Sequence, residues 1–158
     1  MSLYPQILVA LDGSAVSQRA LDQAITLAQA LGSRLHLVHI VDELSYVTGF
    51  ESAMNYLNEI IPLMREAGQK VLAGARQQAL DKGVGADVAL VVEGPGRVCD
   101  RIVAHAVKSG ADLVVVGSHG RRGVNRVLMG SDAEQVVRLS RIPVLVVRCA
   151  DEAPADGL

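Results

Sequence analysis

Between Ala111 and Val137 the chain reads ADLVVVGSHGRRGVNRVLMGSDAEQVV, and the residue types gathered there could do chemistry. Leu113 to Val116 is a short apolar run, the composition of a strand covered on both faces. Gly117 ends it. Gly117, Gly120, Gly123 and Gly130 leave the backbone free for positive φ or for close approach by a ligand. Ser131 and Glu134 stand at capping-box spacing, so a helix is expected to begin there. A strand, a glycine-rich loop and a helix N-terminus together make an anion site, because free N–H groups and the positive dipole end face one crevice. Arg121, Arg122 and Arg126 add positive charge. The ligand that suits such a site is a phosphate chain. His119, inside the loop, reads either as a catalytic imidazole or as a loop residue donating a hydrogen bond to ligand or backbone.

The spacing is Gly117-x2-Gly120-x9-Gly130-Ser131. It is neither G-x-x-x-x-G-K-[ST] nor G-x-G-x-x-G. It resembles the nucleotide-binding branch of the universal stress protein family. The likeness runs along nearly the whole chain, through the opening ILVALDGS, the VHIVDE after the second strand and the closing RIPVLVVR. It implies an adenine nucleotide alpha hydrolase-like fold over residues 1–150: a three-layer, doubly wound α/β sheet of five parallel strands, order 3-2-1-4-5, flanked by four helices. It implies ATP, ADP or AMP as ligand. Ala10 and Leu11 would form the adenosine pocket, with Asp12 beside the nucleotide. Val41 would meet adenine through its backbone. Val116, Gly117, Gly120, Gly130 and Ser131 would line the ribose and phosphates, with His119, Arg121, Asp132 and Ala133 around them. Asp12 is also a candidate partner for Mg²⁺ bridged to phosphates, since magnesium takes one or two carboxylates plus phosphate oxygens. The resemblance further implies a homodimer joined through Val144, Leu145, Val146 and Val147, antiparallel across a two-fold axis.

Two positions depart from the family pattern. Many nucleotide-binding relatives look apolar where Asp132 stands and hydroxylated where Ala133 stands. Asp132 complements the helix dipole by ~0.3–1 kcal/mol, yet it would repel a phosphate, and Ala133 removes a hydroxyl contact. Asp12 has its own structural reading, as an Asx-turn residue leading into a helix.

The elements that must position these residues follow from pattern. Ile7 to Leu11 is a first strand, and Ser14 is the N-cap of the helix after it. Ala20, Leu21, Ala24, Leu27, Ala28 and Leu31 form one apolar stripe, closed by Gly32. Leu35 to Val41 is a second strand. Asp42 to Asn55 lacks a clean period and reads as an anchored loop or a flap over the crevice. A helix follows with Leu57, Ile61, Met64, Val71, Ala75 and Ala79 inward. Pro62 starts or kinks it, and Gly83 and Gly85 end it. Val88 to Val92 is a third strand. Pro95 is expected in the first turn of the next helix, whose Val98, Ile102 and Ala106 face inward and which Gly110 closes. The last helix turns Val136 and Val137 inward, and Pro143 opens the final strand, Val144 to Val147. Asp151 to Leu158 reads as a disordered tail. The alternation gives a doubly wound α/β sheet. In the implied order the winding reverses between strands one and four, which brings Asp12 and the Gly117 loop to one crevice.

Composition bounds the rest. The 158 residues suit one domain, and at 50% hydrophobic but only 3% aromatic the core must be aliphatic. A net charge of -2 with so few aromatics gives no nucleic-acid footprint. No apolar run approaches the ~18 residues of a membrane span, and no signal peptide opens the chain, so a cytoplasmic protein with Cys99 and Cys149 as reduced thiols is expected. His36 and His39 point to opposite faces of their strand, and His105 reads as a packed or rim histidine. Three functions compete. One is a nucleotide-binding stress regulator with an unknown protein partner. Another is a weak ATP hydrolase or phosphotransferase, although no P-loop lysine is present. The third is a nucleotide-free dimeric interaction module, for which Asp132 is the best argument. A receiver-type switch would want an Asp at the end of the third strand, where Glu93 stands.

Overall fold

The computed structural model describes residues 1–43, 56–120 and 129–148. Strands β1 (Gln6–Ala10), β2 (Arg34–Ile40), β3 (Ala86–Val91), β4 (Leu113–Gly117) and β5 (Val144–Val147) form one sheet in the order β3-β2-β1-β4-β5. Every pairing is parallel. Helices α1 (Ala15–Leu31), α2 (Ile61–Asp81), α3 (Val98–Lys108) and α4 (Ser131–Leu139) connect the strands. The α/β class and the 3-2-1-4-5 order are those expected. Strand ends shift by a residue or two: Leu11 and Val41 lie just past β1 and β2, although their amides still bond to Val38 and Val91 across the sheet.

Alternation along the strands divides the core in two. Ile7, Val9, Leu35, Leu37, Leu113 and Val115 pack against Leu21, Ala24 and Ala28 of α1 and Leu72, Ala75 and Ala79 of α2. Leu8, Val38, Ile40, Val114 and Val116 pack against Cys99, Ile102 and Ala106 of α3 and Ala133 and Val136 of α4. Helices therefore cover both faces, which is why β1 and β4 are apolar at nearly every position. Ser14 caps α1 by accepting the Ser17 amide at 3.2 Å, and Gly32 closes it at φ 69°.

Some local expectations are corrected. Pro62 lies in the first turn of α2, after a π-helical turn at Tyr56–Ile60, so it starts the helix rather than kinking it. The buried face of α2 is Gly68, Leu72, Ala75 and Ala79; Ile61, Met64 and Val71 are only half-buried. The helix sits over β2 and the edge strand β3. Pro95 stands ahead of α3, not in its first turn. The helix instead begins where the Asp100 carboxylate accepts the Arg97 amide at 2.8 Å. Val137 is 45% exposed, because the helical period that buries Ala133 and Val136 turns the next side chain outward. Residues 44–55, the side chain of Leu57, Gly123, Cys149 and the tail from Asp151 lie outside the described residues, and the flap and tail readings with them.

One contact ties α2 to the sheet and to the end of β1. The ring of His39 is buried and donates from Nδ1 to the Leu11 carbonyl at 2.7 Å. Gly68 makes room for it. A Cβ at 68 would lie 2.6 Å from His39 Cδ2 and 2.7 Å from Leu90 Cδ1. Gly68→Ala should therefore lower stability by ~1–3 kcal/mol in urea denaturation, although alanine is intrinsically better in a helix by about 1 kcal/mol.

Candidate functional site

Where the winding reverses, β1 and β4 send their chains to opposite faces of the sheet, and a crevice opens beyond their carboxyl ends. Its cavity volume is about 100 Å³, and it is open to solvent. Ala10, Leu11 and Asp12 come to it from β1, Val116 and Gly117 from β4, and His119 and Gly120 from the loop after β4. Asp132, Ala133 and Val136 of α4 close one side. All of these but Val136 are expected site residues. Sequence reading missed Ser17, Val38, Ile40, Val98 and Ile102 in the same lining. Val98 and Ile102 carry a signal, since both are assigned to the inner face of α3, but pattern alone does not show where an inner face meets an opening.

The start of α4 differs from the expected capping box. Gly130 is the N-cap, at φ -60° and ψ 152°, Ser131 is already helical, and no side chain caps the helix. Glu134, which would have closed the box, bonds forward to Arg138 at 3.3 Å instead. The reason is geometric: a first-turn hydroxyl has passed the position from which it can reach back to the turn's amides. The amides of Ser131, Asp132 and Ala133 thus lack a side-chain cap at the positive end of the helix dipole.

The loop glycines serve close approach. None of Gly117, Gly120 and Gly130 has a positive φ. A Cβ on Gly117 would lie 2.7 Å from Val16 Cγ1, one on Gly120 would lie 3.1 Å from Asp12 Oδ2, and one on Gly130 would lie 3.1 Å from the Ser118 carbonyl. The two ends of the loop are also joined directly, Gly130 donating to Ser118 O at 2.7 Å. Gly117 and Gly120 let the chain after β4 pack onto the β1–α1 region, and Gly130 lets the two ends of the loop meet.

Asp12 forms the expected Asx turn and also lines the crevice. Oδ1 accepts the Ser14 amide at 2.8 Å, an Asx turn, while Oδ2 lies beside Gly120 at the crevice. His119 Nδ1 meets Ser118 Oγ at 2.9 Å, as a loop residue would, and its side chain also lines the crevice. Three expected residues are not in the lining. Gly130 and Ser131 stand directly before Asp132, at its rim. Val41 is buried, its amide donates to Val91 O at 2.8 Å and its carbonyl accepts from Arg101 Nη1 at 3.1 Å. Arg121, Arg122 and Arg126 lie outside the described residues. Cys99 is buried behind the α3 wall, and burial first, then the Asp100 and Asp132 carboxylates, push its thiol pKa up. It is a packing residue, not a nucleophile.

A family model described as "Universal stress protein family" matches residues 3–148. This chain belongs to the universal stress protein family. Universal stress protein YxiE of Bacillus subtilis is 34% identical over 151 residues, covering 92% of this chain and 100% of that relative. A solved structure of a universal stress protein family member from Burkholderia pseudomallei is 33% identical, covers 93% of this chain and 98% of its own, and superposes with a TM-score of 0.74. A universal stress protein crystallised in complex with cAMP is 28% identical, covers 94% of this chain and 98% of its own, and has a TM-score of 0.64. Among the described residues no helix of this universal stress protein is long and apolar enough to cross a membrane.

The Asx turn separates two roles of Asp12 by experiment. Asp12→Asn keeps an oxygen for the Ser14 amide and should hold stability near wild type. Asp12→Ala removes it and should cost ~1 kcal/mol, the scale of a lost capping acceptor, measured by chemical denaturation without ligand.

Proposed function

We propose that the crevice of this universal stress protein binds an adenine nucleotide, ATP, ADP or AMP, and that occupancy regulates a stress response through dimer and partner contacts. The observation that carries the reading is the uncapped start of α4 opening onto an apolar crevice. Val38, Ile40, Val98 and Ile102 offer a wall for a flat ring. The amides of Ser131, Asp132 and Ala133 offer donors for a phosphate. The relative crystallised with cAMP supports an adenine ligand.

In this reading Ala10, Leu11 and Val116 flank the nucleoside, while Val41, whose amide and carbonyl are both bonded within the protein, supports the wall from behind. Gly117, His119, Gly120, Gly130 and Ser131 surround ribose and phosphate, and Arg121 supplies positive charge from the loop. Asp12 Oδ2 would hold Mg²⁺ only as one ligand among phosphate oxygens and water. No residue is assigned a catalytic role. β5 has β4 on one side only, and Leu145 is 38% exposed. A second copy pairing along Val144–Val147 would cover that edge.

A second reading, the nucleotide-free interaction module, is favoured by one observation: two carboxylates, Asp12 and Asp132, line the crevice. Denaturation with and without Mg·ATP or AMP separates the two. A ligand at one hundred times Kd should raise stability by ~2.7 kcal/mol, and a Gly120→Val, Gly130→Val double variant that keeps its circular dichroism should show no rise. Asp132→Asn should tighten nucleotide binding roughly 2- to 10-fold, the scale of about 1 kcal/mol for a screened like-charge contact, read by calorimetry. No heat and no stability shift with any adenine nucleotide would leave the interaction module standing.

A further inference from the structure

On the opposite face of β2 from His39, His36 meets His105 of α3. Their Nε2 atoms lie 2.8 Å apart, with ring centroids separated by 5.0 Å and planes inclined by 14°. That N···N separation is of hydrogen-bond length and too short for two ring faces in contact. The rings therefore meet edge to edge near one plane, with one hydrogen between the two nitrogens. Both side chains are half-buried, and neither lines the crevice.

We propose that His36 and His105 form a proton-operated clasp between β2 and α3. With no added proton, one ring presents Nε2–H and the other a lone pair on Nε2, so the two tautomers are complementary. One added proton leaves an imidazolium donating to a neutral partner, and the contact holds. A second added proton sets two N–H donors and two positive charges against each other, and the contact must open. The clasp therefore responds to the second proton, not the first.

The surroundings set when this happens. Burial lowers the pKa of His36, opposed by the charge of Asp87. Burial lowers that of His105 as well, followed by the charges of His36 and Lys108. Asp87 is the register partner of His36 on β3 and lies 3.4 Å from Arg34 of β2. Lys108 is on α3 itself. The register partner on β1 is the uncharged Leu8. Among the described residues no charged group of α4, which packs on α3, acts on either ring. The sign is fixed by the lowering. The folded protein keeps the rings neutral where the unfolded chain, with histidine pKa ~6.5, binds protons. The stability they contribute is full above about pH 6.5 and is lost as pH falls through the lower folded values. Ile102, one helical turn before His105, lines the crevice, so opening the clasp loosens that wall.

Heteronuclear NMR of the intact protein from about pH 8 to about pH 5 tests the clasp in the range where histidine titrates. The expected result is that His36 and His105 titrate together in two steps, the second below ~6.5, with the amide signals of Ile102 and Ala106 moving at the second step. In His105→Gln, His36 should titrate in one step and those amides should stay still. Two independent single-step titrations in the wild type, or α3 amides indifferent to the second step, would overturn the proposal. If the variant does not fold, the wild-type titration decides alone.

Discussion

The parallel pairing of β1 with β4 is the contact on which the rest of this protein depends. Ile7, Leu8 and Val9 stand opposite Leu113, Val114 and Val115, and all six side chains are buried. Because β1 and β4 are neighbours in the sheet but far apart in the chain, the connections that leave them depart to opposite faces. A crevice opens between those departures. The crevice is thus a consequence of strand order, and its residues are whatever the chain happens to carry just past the two strand ends.

What the chain carries there reconciles two demands. The β4–α4 loop must come close to the β1–α1 region, which glycine permits at 117 and 120, and its two ends must come close to each other, which Gly130 permits. The start of α4 must also be held, and here the hold is backbone alone: Gly130 donates to Ser118 and accepts from Glu134. A side-chain cap would have consumed an amide that now faces the opening. Asp132 balances this from the other direction. Its charge suits the helix end and burdens any anion that approaches the same amides.

Much of this could be read from residue order. Sheet order came with the family resemblance, while strands and helices came from period, because aliphatic runs and stripes were strong and aromatic residues rare. Most of the crevice lining was legible too, since it sits at strand ends and in the glycine loop. The failures share a cause. Pro95 and the Ser131–Glu134 pair are motif readings, yet helix starts are decided by which carboxylate or backbone group reaches an amide in three dimensions, the Asp100 carboxylate in one case and backbone carbonyls alone in the other. Val38, Ile40, Val98 and Ile102 read as strand or inward helix positions, but an interior face and a pocket wall look alike along a chain, and Ser17 carries no pattern signal at all. His36 and His105 are 69 residues apart, so no spacing rule could pair them.

The packing of Gly68 against His39 carries a consequence for how this chain can drift. The imidazole occupies the volume that any larger residue at 68 would need, and it does so while gripping the Leu11 carbonyl. The two sites are therefore not free to change one at a time. A lineage that exchanges the histidine for something smaller, so that the Leu90 side chain can also turn aside, gains licence for alanine on the helix, whereas the reverse order of events passes through a misfit. Substitutions at 39 and 68 should arrive together, as a linked pair.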